Sequence, residues 1–218
     1  LKIGIICAMP IELDYLRHHL NCTPVVLKKR TFYLADYGEN DLVLFASGVG
    51  KVNATVYTQL LIDYFETNVI LNIGIAGGLH PCLKPLDIVL GDRYSHHDVD
   101  KNQMERLFPY TSDFQADTQL LAKFKAHHQE GMIGCIVSGE SFIADDNEKA
   151  RIIETFDAVA VDMETSAIAH VCFINEIPFL SIRGISDLAN DKATESYDNY
   201  EKLVSDRVGK FCLDVLEN

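Results

Sequence analysis

The 218-residue chain is 48% hydrophobic and 23% charged, too apolar for intrinsic disorder and of a length that suits one globular domain over residues 1–218. Its 32 acidic against 19 basic residues give a formal net charge of −13, which repels phosphate backbones and anionic lipid and argues against nucleic acid or a membrane surface as partner. No apolar run approaches the ~20 residues of a membrane helix, residues 1–12 lack a signal peptide's basic start and long apolar stretch, and the six cysteines include no C-x-x-C pair, so the expected location is the reducing cytoplasm.

In chain order, an apolar β-branched run over 2–8 reads as a strand and 11–20 as a helix with Pro10 at its start. A second strand pattern over 42–46 passes through Ser47-Gly48-Val49-Gly50 into a helical pattern over 52–65. A third over 69–73 meets the cluster Gly74-Ile75-Ala76-Gly77-Gly78, and a fourth covers 87–90. Residues 91–117 are rich in His, Asp, Asn and Gln without clear periodicity, which suggests a long loop, functional or at an interface. Beyond it the patterns alternate: helix 118–128, strand 133–137, helix 147–156, strand 158–161, helix 165–175, strand 179–185 and helix 197–216. Such alternation argues for an α/β fold with a mostly parallel or mixed sheet, and glycine clusters at strand ends outline a ligand crevice.

Three acids follow apolar strands, where a carboxylate is partly desolvated. Glu12 sits in the first turn after Pro10, and Glu164 where the 158–161 strand turns into a helix; either acid also suits a helix start through the helix dipole. Asp187 ends Ile182-Arg183-Gly184-Ile185-Ser186-Asp187, and a buried Arg183 would need an acidic partner, so a structural ion pair is the alternative there. Parallel strands at these three places would bring the acids to one crevice. His96-His97-Asp98 and His127-His128 lack the i, i+4 spacing and the cysteine pairs of zinc sites. The Gly74–Gly78 cluster breaks the G-x-G-x-x-G dinucleotide pattern.

Seven blocks, in order and over nearly the whole chain, resemble the 5'-methylthioadenosine/S-adenosylhomocysteine nucleosidases of the nucleoside phosphorylase superfamily: Lys2-Ile3-Gly4-Ile5-Ile6 with Ala8-Met9 and Glu12, Ser47-Gly48-Val49-Gly50-Lys51-Val52, Ala76-Gly77-Gly78-Leu79, His97-Asp98-Val99-Asp100, residues 136–143, Ala160-Val161-Asp162-Met163-Glu164 and Arg183-Gly184-Ile185-Ser186-Asp187. The resemblance implies a three-layer α/β fold, a central mixed sheet flanked by helices. It implies cleavage of the N9–C1' bond of a thioether nucleoside by water, with no cofactor or metal, in a homodimer. By the same resemblance Glu12 activates water, Asp187 donates to purine N7 and Glu164 binds the ribose hydroxyls. Phe142 and Ile143 meet the purine, Met163 the ribose, and Met9, Val49 and Tyr197 the 5'-alkylthio group. Ala76, Gly77, Arg183 and Ser186 complete the implied substrate site. Two carboxyls sharing acid and base roles across the scissile bond need separated pKa values, the higher expected for Asp187.

The sequence departs from the family at two places. Ile75 stands where a small hydroxyl residue is usual, and Lys101 where the loop after His97-Asp98-Val99-Asp100 is usually an apolar, aromatic-rich run that reaches into a neighbouring subunit's 5' pocket. Lys101 could pair with a carboxylate on the 5' substituent, or extend into solvent. A phosphorylase using phosphate in place of water stays open through Arg30, Arg93 and Arg183, as does a nucleoside-binding protein without turnover.

Overall fold

The computed structural model describes residues 1–128 and 131–217; the last residue of the expected domain lies outside them. They form ten strands and seven helices. In order these are β1 (Lys2–Cys7), α1 (Pro10–His19), β2 (Thr23–Leu27), β3 (Arg30–Tyr37), β4 (Asn40–Ala46), α2 (Lys51–Asp63), β5 (Val69–Gly78) and β6 (Ile88–His96). They continue as α3 (Lys101–Arg106), β7 (Asp113–Gln115), α4 (Thr118–Ala126), β8 (Met132–Ser138), α5 (Asp146–Phe156), β9 (Ala158–Asp162), α6 (Thr165–Ile174), β10 (Phe179–Asp187) and α7 (Ala193–Leu216).

All strands join one mixed sheet in the order β10-β6-β8-β9-β5-β1-β4-β3-β2, with β7 beside β6. Because β10 also pairs with β5, the β5, β10, β6, β8 and β9 end closes on itself, and β1, β4, β3 and β2 extend from it as an open sheet. Every residue of β5 and of β10 is buried, the pattern of strands covered on both faces and the reason they read as unbroken apolar runs. The expected mixed sheet flanked by helices is therefore present.

Three segments differ from the sequence expectation, each for a physical reason. The β2–β3 hairpin was not expected: β2 is short and largely exposed despite Val25, Val26 and Leu27, and its turn places Lys28 and Lys29 at φ 48° and 62° where Asn or Gly would have announced a hairpin. Residues 91–117, expected as one long loop, instead continue β6 to His96 and add α3 and β7. Buried polar residues hide that strand: Ser95 donates to the Ser112 carbonyl and Tyr94 to the Gly91 carbonyl, while α3 buries nothing. The helix expected over 197–216 starts at Ala193, one turn earlier, and that turn reaches the candidate site.

The acids converge, though not through parallel strands alone. β1 and β10 run parallel to β5, but β9 is antiparallel to it and pairs only at Gly77 and Gly78. That short pairing brings Asp162 and the following Glu164 beside the carboxyl end of β5.

Candidate active site

A cavity of about 360 Å³ opens at these strand ends. Its wall includes Glu12 and Met9 from the start of α1, Val49 before α2, Ile75, Ala76 and Gly77 from β5, Met163 and Glu164 after β9, Ser186 and Asp187 from β10, and Tyr197 from α7, with Phe142 over it. Of the residues expected from sequence, only Ile143 and Arg183 do not line it. Ile143 encloses a small adjoining pocket shared with Gly77, Phe142, Met163 and Asp187. Arg183 lies behind the cavity, fully buried.

Glu12 is fixed by the local fold of its own helix. With Pro10 at the start of α1, the carboxylate folds back so that Oε2 accepts from the amides of Ala8 (2.9 Å) and Met9 (2.8 Å), while Oε1 accepts from the Ile75 amide of β5 (2.9 Å). The acid therefore caps its helix, as the helix-start reading expects, and locks it to β5. Burial raises its pKa, and Arg183 and the three amides offset part of that rise.

Arg183 is the hub beneath the site. Nη2 pairs with Asp162 at 2.6 Å and approaches Glu164 at 4.0 Å. Nη2 also donates to Asn72 Oδ1 at 2.7 Å, and Nε and Nη2 to Thr165 Oγ1 at 3.0 and 2.9 Å. Its acidic partner is Asp162 rather than Asp187, so the structural ion pair anticipated for a buried arginine exists with a different acid. Asp162 is further held by the hydroxyls of Ser138 and Thr165. Gly74 makes room for this layer: a Cβ there, at φ +152°, would stand 2.3 Å from Arg183 Nη1 and 2.4 Å from Glu12 Oε1. Guanidinium and carboxylate thus meet across a glycine that no other residue can replace without displacement.

Glu164 accepts from the Gly50 amide at 2.8 Å, which ties the glycine turn ahead of α2 to the β9 strand end. Burial and then the neighbouring Asp162 push its carboxyl up to about 8, against the pull of Arg183 and the Gly50 amide. Asp187 accepts from Ser186 Oγ (2.8 Å) and the Ala189 amide (2.8 Å), and burial raises it too. Burial raises Glu12 and Asp187 alike, which does not give the separation expected between them, and the carboxyl pushed up to about 8 is that of Glu164.

At the other end, Phe142 and Tyr197 face each other edge to face with ring centroids 5.9 Å apart. The Tyr197 hydroxyl reaches Met9 Sδ at 3.1 Å and Glu201 at 3.0 Å. Lys101 is turned to its own chain, 3.9 Å from Asp113 and 5.0 Å above the Phe156 ring. Among the described residues no group of three or more His, Cys, Asp and Glu is arranged to hold a metal. His96 Nδ1 meets Ser166 Oγ at 2.8 Å, and burial lowers its pKa to about 4, so the ring stays neutral.

Sequence reasoning missed several contributors. Asp162 stood two residues before Glu164 and drew no separate notice; Asn72 gave no signal as a single polar residue in an apolar run, nor did Thr165, one of several polar residues at the start of a helix. Thr194 and Asp198 also line the cavity, and the late expected start of α7 concealed Thr194.

The chain matches the phosphorylase superfamily model over residues 2–217. A 5'-methylthioadenosine/S-adenosylhomocysteine nucleosidase of Listeria monocytogenes is 35% identical over 236 aligned residues, spanning 100% of this chain and 99% of its own. One from Staphylococcus epidermidis is 35% identical over 208 residues, 91% of each chain. Among solved structures, S-adenosylhomocysteine nucleosidase from Streptococcus pyogenes in complex with 5-methylthiotubericidin superposes with a TM-score of 0.95 at 32% identity, covering 100% of this chain and 97% of that one. The futalosine hydrolase of Helicobacter pylori gives 0.93 at 26% identity, covering 99% and 97%. With this ordering of strands, this clustering of carboxylates and full-length relatives of these kinds, the chain belongs to the phosphorylase superfamily and, within it, to the 5'-methylthioadenosine/S-adenosylhomocysteine nucleosidases.

Proposed function

We propose that the protein hydrolyses the N-glycosidic bond of 5'-methylthioadenosine and S-adenosylhomocysteine, releasing adenine and the corresponding thioribose. The observation that carries this is the Glu12 carboxylate, held by three backbone amides at the wall of a cavity lined by no Lys or Arg. As the C1'–N9 bond breaks, its electron pair moves to the purine and positive charge develops on the sugar. Glu12 takes a proton from water as the C1'–O bond forms, and Asp187 delivers a proton to purine N7. Burial, which raises Asp187, favours its holding that proton. Glu164 binds the ribose hydroxyls, Met163 packs on the ribose, and Phe142 stacks on the purine with Ile143 at its edge. Met9, Val49 and Tyr197 surround the 5' substituent.

A phosphate nucleophile fits this site poorly. Two like charges 4 Å apart repel by about 4 kcal/mol at an effective dielectric of 20, and Arg183, the cation that faces Glu12 across Gly74, lies behind the cavity rather than in its wall. Arg183 is committed to Asp162, Asn72 and Thr165. Arg30 donates to the Tyr57 hydroxyl, and Arg93 to Asp113 and the Phe156 carbonyl.

We also propose a homodimer in a reducing compartment, the cytoplasm. Val52 and Val56 on α2 and Phe173 and Ile174 on α6 are large apolar residues left exposed on two helices that pack together, and all six cysteines are free thiols. Among the described residues no helix is long and apolar enough to cross a membrane.

The test is adenine release from 5'-methylthioadenosine in phosphate-free buffer, repeated with phosphate and with Asp187→Asn. Release independent of phosphate and lost in the variant is expected; release that requires phosphate would make the enzyme a phosphorylase and remove Glu12 as base.

A further inference from the structure

The 5' end of the cavity carries polar chemistry that a purely apolar alkylthio pocket does not need. Met9, Val49 and Phe142 supply apolar surface, and the first turns of α7 set Thr194, Tyr197 and Asp198 opposite them. The Tyr197 hydroxyl lies 3.0 Å from Glu201 Oε1 and 3.1 Å from Met9 Sδ. A phenol has one proton, and a carboxylate takes it in preference to a thioether, which is a weak acceptor. The oxygen then offers its lone pairs to the cavity. Burial and Glu201 both raise the phenol's pKa, which keeps the proton in place. Asp198, the next residue along α7, adds a carboxylate to the cavity wall. Among the described residues no Lys or Arg of this chain lines the cavity, and Lys101 lies 3.9 Å from Asp113 and 5.0 Å above the Phe156 ring of its own chain.

We propose that this end is a hydrogen-bond-acceptor subsite, formed by the Glu201-anchored Tyr197 hydroxyl and Asp198, which selects adenine nucleosides whose 5' substituent carries a proton donor, above all an ammonium group, over those with an anionic 5' substituent. The assignment rests on the nucleoside orientation of the proposed function, which puts the 5' substituent between Met9 and Tyr197. An ammonium there gives a charge-assisted bond to Asp198 and a neutral one to the Tyr197 oxygen. A carboxylate or phosphate finds no cation among the described lining residues and faces the Asp198 carboxylate.

The experiment measures dissociation constants by calorimetry at neutral pH for 5'-amino-5'-deoxyadenosine, 5'-methylthioadenosine and adenosine 5'-monophosphate. It uses Asp187→Asn protein, in which the proposed reaction is blocked. The amine is expected to bind at least as tightly as the thioether, and the monophosphate most weakly. Adding Asp198→Asn should shift the amine-to-thioether ratio against the amine by about tenfold, the size of one hydrogen bond to a charged group. Tyr197→Phe, which keeps the ring against Phe142, should also move that ratio against the amine. Ratios unchanged in both variants, or a monophosphate that binds as tightly as the amine, would overturn the proposal. Adenine release by the unsubstituted enzyme is scored separately. If release fails while the ratios shift, hydrolysis falls and the subsite stands; if release occurs with ratios fixed, only the subsite falls.

Discussion

Replacing Gly74 by alanine perturbs the layer on which the candidate site rests. The new Cβ would stand 2.3 Å from Arg183 Nη1 and 2.4 Å from Glu12 Oε1, and neither atom is free to retreat. Arg183 is fully buried and held by Asp162, Asn72 and Thr165, and Glu12 by three amides. A non-glycine residue at φ +152° costs about 1–3 kcal/mol in backbone strain, and loss of one amide bond to the carboxylate adds about 1.5–3 kcal/mol. For a chain of this length that sum lowers the melting temperature on the order of 10 °C. Displacing Glu12 by a fraction of its bond length to water should slow adenine release about a hundredfold. Gly38→Ala is the control, since its φ is also positive, +59°, yet a Cβ there would come no nearer than 4.0 Å to the Leu216 carbonyl; it should cost only about 1 kcal/mol. Thermal unfolding by circular dichroism and adenine release on the same preparations decide the matter. A Gly74→Ala protein that melts like the Gly38→Ala control and keeps its rate to within about twofold would refute the crowding of Arg183 and Glu12 across Gly74.

Other consequences follow from the same layer. Asp162→Asn removes the carboxylate 2.6 Å from a fully buried guanidinium and should destabilise the fold by about 3–5 kcal/mol, measured by urea unfolding. Glu164, raised to about 8 from an ordinary 4.5, holds a proton in the native state that the unfolded chain gives up earlier. Its contribution to stability is complete below pH 4.5 and is lost as pH rises to about 8. Glu164→Gln should therefore melt progressively higher relative to the unsubstituted protein as pH increases through that window, and a constant difference would contradict the shift. Cys82 is exposed and Cys22 partly so, whereas Cys7, Cys135, Cys172 and Cys212 are buried. A thiol reagent should label Cys82 first and the four buried thiols only on unfolding, as read by peptide mass.

Much of the architecture was legible because burial on both faces leaves a plain mark: the runs over 69–73 and 179–185 are strands whose every residue is buried. Elements that bury little, or bury polar groups, left none. The β2–β3 hairpin turns on two lysines with positive φ, and the outer half of β6 satisfies Ser95 and His96 by hydrogen bonds instead of apolar contact. The site divides in the same way. Glu12, Glu164 and Asp187 were visible as acids directly after apolar strands, because chain position alone puts such groups at a strand end. Asp162, Asn72 and Thr165 act through Arg183, and that relation is created only when β5, β9 and β10 come together, across 93 residues from Asn72 to Thr165. Thr194 reaches the cavity because α7 starts one turn earlier than its apolar periodicity announced.

The central claim is that water, activated by Glu12, attacks the anomeric carbon. It is tested most directly by running the reaction on 5'-methylthioadenosine in oxygen-18 water with phosphate also present, and identifying the sugar product by mass. The account predicts free methylthioribose carrying the heavy oxygen, formed at a rate that phosphate does not change and that Glu12→Gln nearly abolishes. Methylthioribose 1-phosphate as the product would contradict it.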